Sequence, residues 1–139
     1  MTTRREQILE AIVAAITAAN IGAPLYRSKP EPATKTKSPS VVLLPKTESS
    51  LVNVIPYTDH ELQFSLLVRV RGDAPDSIAD PIIAGMHAAM FADVTLGGLA
   101  MNITQGIVGF FYEMADGTAH EAELTYSVSY RTLTNNLTM

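Results

Sequence analysis

Three histidines are the side chains with the greatest catalytic or metal-binding reach: His60 between Asp59 and Glu61, His87, and His120 just before Glu121. Imidazoles beside carboxylates could hold a divalent metal or act as an acid/base pair. None of the three has the i, i+4 partner that a helical zinc site requires. If the Asp116-Gly117 turn brings His120 opposite Glu113, simple cross-strand charge pairing accounts for both residues. His87 falls on a small-residue helix face, as a packed or interface histidine does. Glu121 and Glu123 share one strand face, where a solvated or inter-subunit ionic role suits them better than a catalytic dyad. The chain contains no cysteine, hence no thiolate nucleophile, disulfide framework or cysteine-bound metal. It has no G-x-S-x-G elbow and no phosphate-binding G-x-x-x-x-G-K-[ST] loop; Leu96-Gly97-Gly98-Leu99 lacks the lysine and reads as a turn. The expectation is a protein with no catalytic residues, metal or cofactor. The alternative from another class is a small hydrolase or ligand-binding domain using His60, His120 and nearby carboxylates.

The elements that would position these residues begin with a helix. Thr3 and Glu6 fit a capping box, and Ile8, Ile12 and Ile16 recur at helical spacing with Leu9 and Val13 beside them. Asn20, Gly22 and Pro24 end it. Leu25 to Arg27 is a short strand candidate. Residues 28–40 carry three prolines and no large apolar side chain, the composition of a flexible loop. With Arg27, Lys29, Lys35 and Lys37 against Glu31, this segment is either a solvated loop or an arm for an acidic partner, a neighbouring subunit or nucleic acid.

Val41 to Leu44 reads as a doubly buried strand stopped by Pro45, and Leu51 to Tyr57 as an edge strand limited by Pro56. From His60 to Gly72 apolar and polar residues alternate, with Leu67 the one apolar residue on the polar face and a candidate interface anchor. Pro75 to Ala92 is a second helix, starting under Asp73 or Asp76 as its cap. Pro81 argues either for a fresh start at Asp80-Pro81 or for a kink, and the fresh start is favoured. Two strands follow, joined at Asp116-Gly117. A two-residue loop there pairs Phe111 with Ala122, Gly109 with Leu124 and Ile107 with Tyr126, on an apolar face that continues with Val128 and Tyr130 and reads as core. Phe110 and Tyr112 then share the mixed face of Glu121, Glu123 and Arg131. The tail beyond Thr132 is polar and expected to fray. Together these elements predict one α+β domain, a two-layer sandwich with both helices on one face of a mainly antiparallel sheet.

Composition adds a constraint on partners. Hydrophobic residues make up 47% of the 139 residues and charged ones 17%, against about 25% charged in a typical soluble domain. Surface short of charge is expected to be covered by other subunits. A net charge of −4 argues against a dedicated duplex-DNA binder. The N-terminal apolar run is interrupted by Glu6, Gln7 and Glu10 and nothing approaches the roughly 20 residues of a membrane span, so an intracellular, soluble protein is expected.

Three segments, RREQILEAIVAAI, LLVRVRGD running into a helix after Asp73, and TLGGLA followed by AELTYSVSYRT, resemble the tail-terminator proteins of long-tailed bacteriophages, the minor tail protein U-like family. Tyr130-Arg131-Thr132 is the most family-like piece. The resemblance implies a virion structural protein, assembled in the host cytoplasm, that forms a homo-oligomeric ring, a hexamer, on the finished tail tube. Such a ring halts tube polymerisation and offers a head-joining surface. The implied partners are other copies of the chain, the tail-tube protein and a head-joining protein, with passive contact to DNA in the lumen. Leu67, Phe110, Tyr112, Glu121, Glu123 and Arg131 are the expected subunit or tube contacts, and Arg27, Lys29, Lys35 and Lys37 the expected partner-binding arm. A head completion or neck protein is the related alternative.

Overall fold

A computed structural model describes residues 2–27, 39–71, 75–112 and 119–139. The first helix, α1 (Arg4–Ala18), starts at the predicted cap, where the Thr3 hydroxyl accepts a hydrogen bond from the Glu6 backbone N–H at 3.2 Å. The Glu6 carboxylate, expected to reach back to the cap, instead receives both terminal nitrogens of the Arg27 guanidinium, at 2.6 and 3.1 Å. Ile8, Leu9, Ile12 and Ile16 are its buried stripe. Positive φ at Asn20 and Gly22 turns the chain out of the helix.

The next elements are β1 (Leu25–Arg27), β2 (Ser40–Val54) and β3 (Tyr57–Arg71). The two separate strands expected around Pro45 are one long strand. The register against β3 shifts between Pro45 and Thr47, so a bulge absorbs the proline. Strand β1 covers β2 only at Val41–Leu43, which leaves Pro45 on an open edge where its missing N–H costs no ladder bond. As expected, Val41, Val42 and Leu43 are all buried.

Helix α2 (Pro75–Phe91) is continuous through Pro81, correcting the expected fresh start at Asp80-Pro81. The proline lies in the second turn with Ser77, Asp80 and Pro81 itself exposed. The carbonyl it frees therefore points towards water, and a solvent-side proline is the kind a helix accommodates by curving. The expected Asp73 cap lies outside the described residues. At Gly85 an added Cβ would stand 3.0 Å from the Ile21 methyl, so glycine permits the close approach of α2 to the segment after α1.

Strands β4 (Asn102–Tyr112) and β5 (Ala119–Leu133) complete a five-stranded sheet of order β1-β2-β3-β5-β4, antiparallel except for β1 with β2. Both helices pack on one face. Their stripes join Leu62, Phe64, Leu66, Val68 and Val70 of β3 and Ala122, Leu124, Tyr126, Val128 and Tyr130 of β5 in one core. The α+β two-layer sandwich is the observed architecture.

The β4–β5 register differs from expectation by one residue. Phe110 pairs with Ala122, Phe111 with Glu121 and Val108 with Leu124. A bulge at Gly106-Ile107 sets two residues opposite Thr125 before pairing resumes at Gln105 with Tyr126. Gly106 is needed there because a Cβ would lie 3.1 Å from the Thr125 carbonyl oxygen. The Asp116-Gly117 turn itself lies outside the described residues. The C-terminal tail is docked rather than frayed: the Arg4 N–H donates to the Leu137 carbonyl and the Thr134 N–H to that of Pro56, both at 2.7 Å.

Candidate functional site

His60 and His120 do not form a common site. His60 is opposite Tyr130 on β5, whereas His120 is opposite Val70 on β3. The ladder therefore separates them by ten residues, roughly 33 Å at strand rise. His60 is buried, with Nδ1 2.7 Å from the Ser50 hydroxyl, Nε2 2.8 Å from the Thr132 hydroxyl, and its ring stacked on Tyr130. The Tyr130 hydroxyl donates to Glu48, whose second oxygen accepts from Arg5 at 3.0 Å. This chain of contacts ties α1 to the sheet. Burial first, and then the Glu48 carboxylate, hold the Tyr130 phenol far above its usual pKa. His120 is buried and stacks on Phe110, and Glu113 lies outside the described residues. His87 stacks on Phe91, with Nδ1 3.3 Å from the Tyr126 hydroxyl. Among the described residues no group of three or more potential ligands could hold a metal, and no helix is long and apolar enough to cross a membrane.

An open cleft of about 410 Å³ lies beside His60, bordered by Ser49, Leu51, Glu61, Met101 and Ser129. Ser50, whose hydroxyl meets His60 Nδ1, also borders it, while the other ring nitrogen is held by the Thr132 hydroxyl within the sheet.

The expected interface residues divide. Leu67 is only 6% exposed within the single chain, too covered to anchor a partner. Phe110 does not share the face of Glu121 and Glu123: the register places it on the helix-bearing side, at the sheet edge, and Phe111 takes the mixed face instead. The backbone of Tyr112 pairs with His120. Glu121 accepts from Arg69 and Glu123 from the buried Ser65, both at 3.4 Å. Arg131 makes a two-nitrogen contact with Asp59, at 2.6 and 3.1 Å, and lies over the Tyr57 ring.

Within the expected arm, Lys29, Lys35 and Lys37 lie outside the described residues. Arg27 is not a free arm cation, because it is held by Glu6. The hydrogen bond from Arg27, opposed by partial desolvation, lowers the Glu6 pKa below its ordinary 4.5. A lowered folded-state pKa stabilises the fold fully above the unfolded value and loses that contribution as pH falls through the folded value. Arg27→Ala should therefore lower the melting temperature at pH 7 but cost less and less as the pH falls below 4.5, as thermal melts across pH 3–7 by circular dichroism would register.

Of two exposed apolar surfaces, sequence reasoning missed one and found only Phe110 of the other. One is the β2–β3 tip, where Leu51, Val52, Val54 and Ile55 are exposed, Ile55 by 85%. The other is on β4, where Ile107 is 80% and Phe110 and Phe111 are each 56% exposed. The available signal was absence of charge: neither Ser49 to Thr58 nor Val94 to Tyr112 contains a charged residue.

No family model matches the chain, and no curated protein matches its sequence. Among solved structures, a chain from the virion of a native gene transfer agent particle aligns over 94% of this chain and 92% of its own, with a TM-score of 0.53 and 11% identity. At that identity the likeness establishes a shared fold. The type 4 fimbrial biogenesis protein PilO from Pseudomonas aeruginosa aligns over 91% of this chain and 68% of its own with a TM-score of 0.38 and 9% identity, too low to carry an argument.

Proposed function

We propose that the chain is a non-catalytic structural component of a phage-like particle, and within it a ring-forming tail terminator. It caps the tail tube, stops its polymerisation and presents the surface to which the head joins. The observation that carries this reading is the end-to-end alignment of its fold with a chain of a gene transfer agent virion. The three segments similar to tail terminators support the finer assignment. The exposed, charge-free apolar surfaces suit a protein that works inside an assembly, where they are covered.

The role is one of occupancy: the protein binds the end of the tube with a surface that the next tube subunit would otherwise use. Deletion of the gene from its parent genome, followed by negative-stain imaging of lysates, tests this. Overlong tails that fail to join heads are the expected result. Tails of normal length beside full, unjoined heads would assign the protein to the neck, and unchanged particles would remove it from the assembly altogether.

A further inference from the structure

Strand β4 ends the sheet, and its outer edge has no strand partner among the described residues. Sheet proteins blunt such edges with charges, prolines, short strands or bulges. Strand β4 has eleven residues and neither charge nor proline. Its bulge leaves Ile107 exposed, and along the same edge Phe110 is exposed on the helix-bearing side and Phe111 on the mixed face. The second surface lies at the far end of the sheet, where a tight turn would ordinarily carry polar residues. The β2–β3 tip carries Leu51, Val52, Val54 and Ile55 instead.

These two patches cannot cover each other within one molecule. Leu51 is in the ladder row of Asp59 and Arg131, and Phe110 in the row of Ala122. Nine residues of β5 separate the rows, roughly 30 Å. Covering either patch takes a second molecule. Neither patch offers a charge by which a nucleic acid or an ionic partner would be selected, and each suits an apolar surface like the other. With large side chains burying about 150–250 Å² each when aromatic, the two patches together present on the order of 1,000 Å², near the floor for a specific interface.

We infer that the β2–β3 tip of one copy seats against the β4 edge of the next, a heterologous contact between two copies of this chain. This deepens the ring reading and rests on it. The tip points along the strands while the edge points across them, so each contact turns the following copy relative to the last. Repetition of such a contact gives a ring where the rotation closes.

The absence of cysteine makes the contact directly testable. The double variant Ile55→Cys/Ile107→Cys, treated with a short bismaleimide, should give a ladder of covalent oligomers, whereas either single variant, with no cysteine across the junction, should stay monomeric. In parallel, Ile55→Asp and Ile107→Asp, both at exposed positions and checked by thermal melts for retained fold, should each fail to assemble. Their equimolar mixture should give heterodimers and nothing larger, because one intact junction remains. No ladder from the double cysteine variant, or assembly of folded Ile55→Asp like the parent, would overturn the contact. A ladder combined with normal tails in the deletion would keep the contact and remove the terminator role. Overlong tails without a ladder would do the reverse.

Discussion

Tyr126→Ala is expected to lower the unfolding free energy by about 3–5 kcal/mol, the range for truncating a large buried aromatic. Tyr126 is fully buried in the middle of β5, stacked at 5.8 Å on Phe64 and enclosed from the helix side by His87 and Phe91. Removing the ring opens a cavity between the sheet and α2, and the close-packed neighbours can fill it only in part. Urea unfolding followed by circular dichroism measures the change, with an unchanged m-value as the sign that compactness is preserved. A cost below about 1 kcal/mol would place the ring outside the core. Tyr126→Phe separates the hydroxyl from the ring. Burial pushes this phenol up to about 12 from an ordinary 10. The native state therefore holds the proton more tightly than the unfolded state does. The resulting stabilisation is complete below pH 10 and lost between pH 10 and 12. The Phe variant should lose that share of the alkaline sensitivity while keeping most of the packing.

Tyr126 also marks how far the sequence could be read. The alternation of Ala122, Leu124, Tyr126, Val128 and Tyr130 identified the core face of β5 correctly, because period 2 with one buried face is a strong constraint. Its partner strand was placed one residue out. Register depends on turn geometry and bulges as well as on pattern, and the Gly106-Ile107 bulge interrupts an alternation that is already weak in β4. That single step exchanged Phe110 with Phe111 and moved Ile107 from the core to solvent. The prolines misled for a related reason. Pro45 and Pro81 are breakers only where their missing N–H matters, and one sits at an open-edge bulge while the other faces water.

The surfaces were less legible than the fold. Glu121, Glu123 and Arg131 lie on the face predicted for them, yet their hydrogen-bond partners Arg69, Ser65 and Asp59 come from β3, and only the three-dimensional ladder brings these together. The β2–β3 tip was invisible as a surface because LVNVIPY has the composition of a strand, and nothing in the string shows that it projects past the core. Lack of charge in these two stretches was the trace they left, a weak signal because buried strands share it.

Leu67→Asp is the complementary case, a substitution that would be nearly silent for folding if Leu67 were an exposed anchor. The structure predicts instead a loss of about 3 kcal/mol or more, the scale for an uncompensated buried charge. Leu67 stands between Val42 of β2 and Glu123 of β5 in the ladder. With Val42 and Ser65 also buried, it belongs to a small island on the face away from the helices. An introduced carboxylate would be desolvated and directly opposite Glu123, where like charges repel. Both effects raise its pKa in the folded state above the unfolded value near 3.9. Its penalty is therefore small at pH 4 and grows as pH rises, so the variant and the parent should converge in stability towards acid and separate towards pH 7. Urea titrations at the two pH values measure this. Equal and negligible losses at both would return Leu67 to the surface, whereas a large loss at pH 7 alone identifies Leu67 as packed structure rather than a free interface anchor.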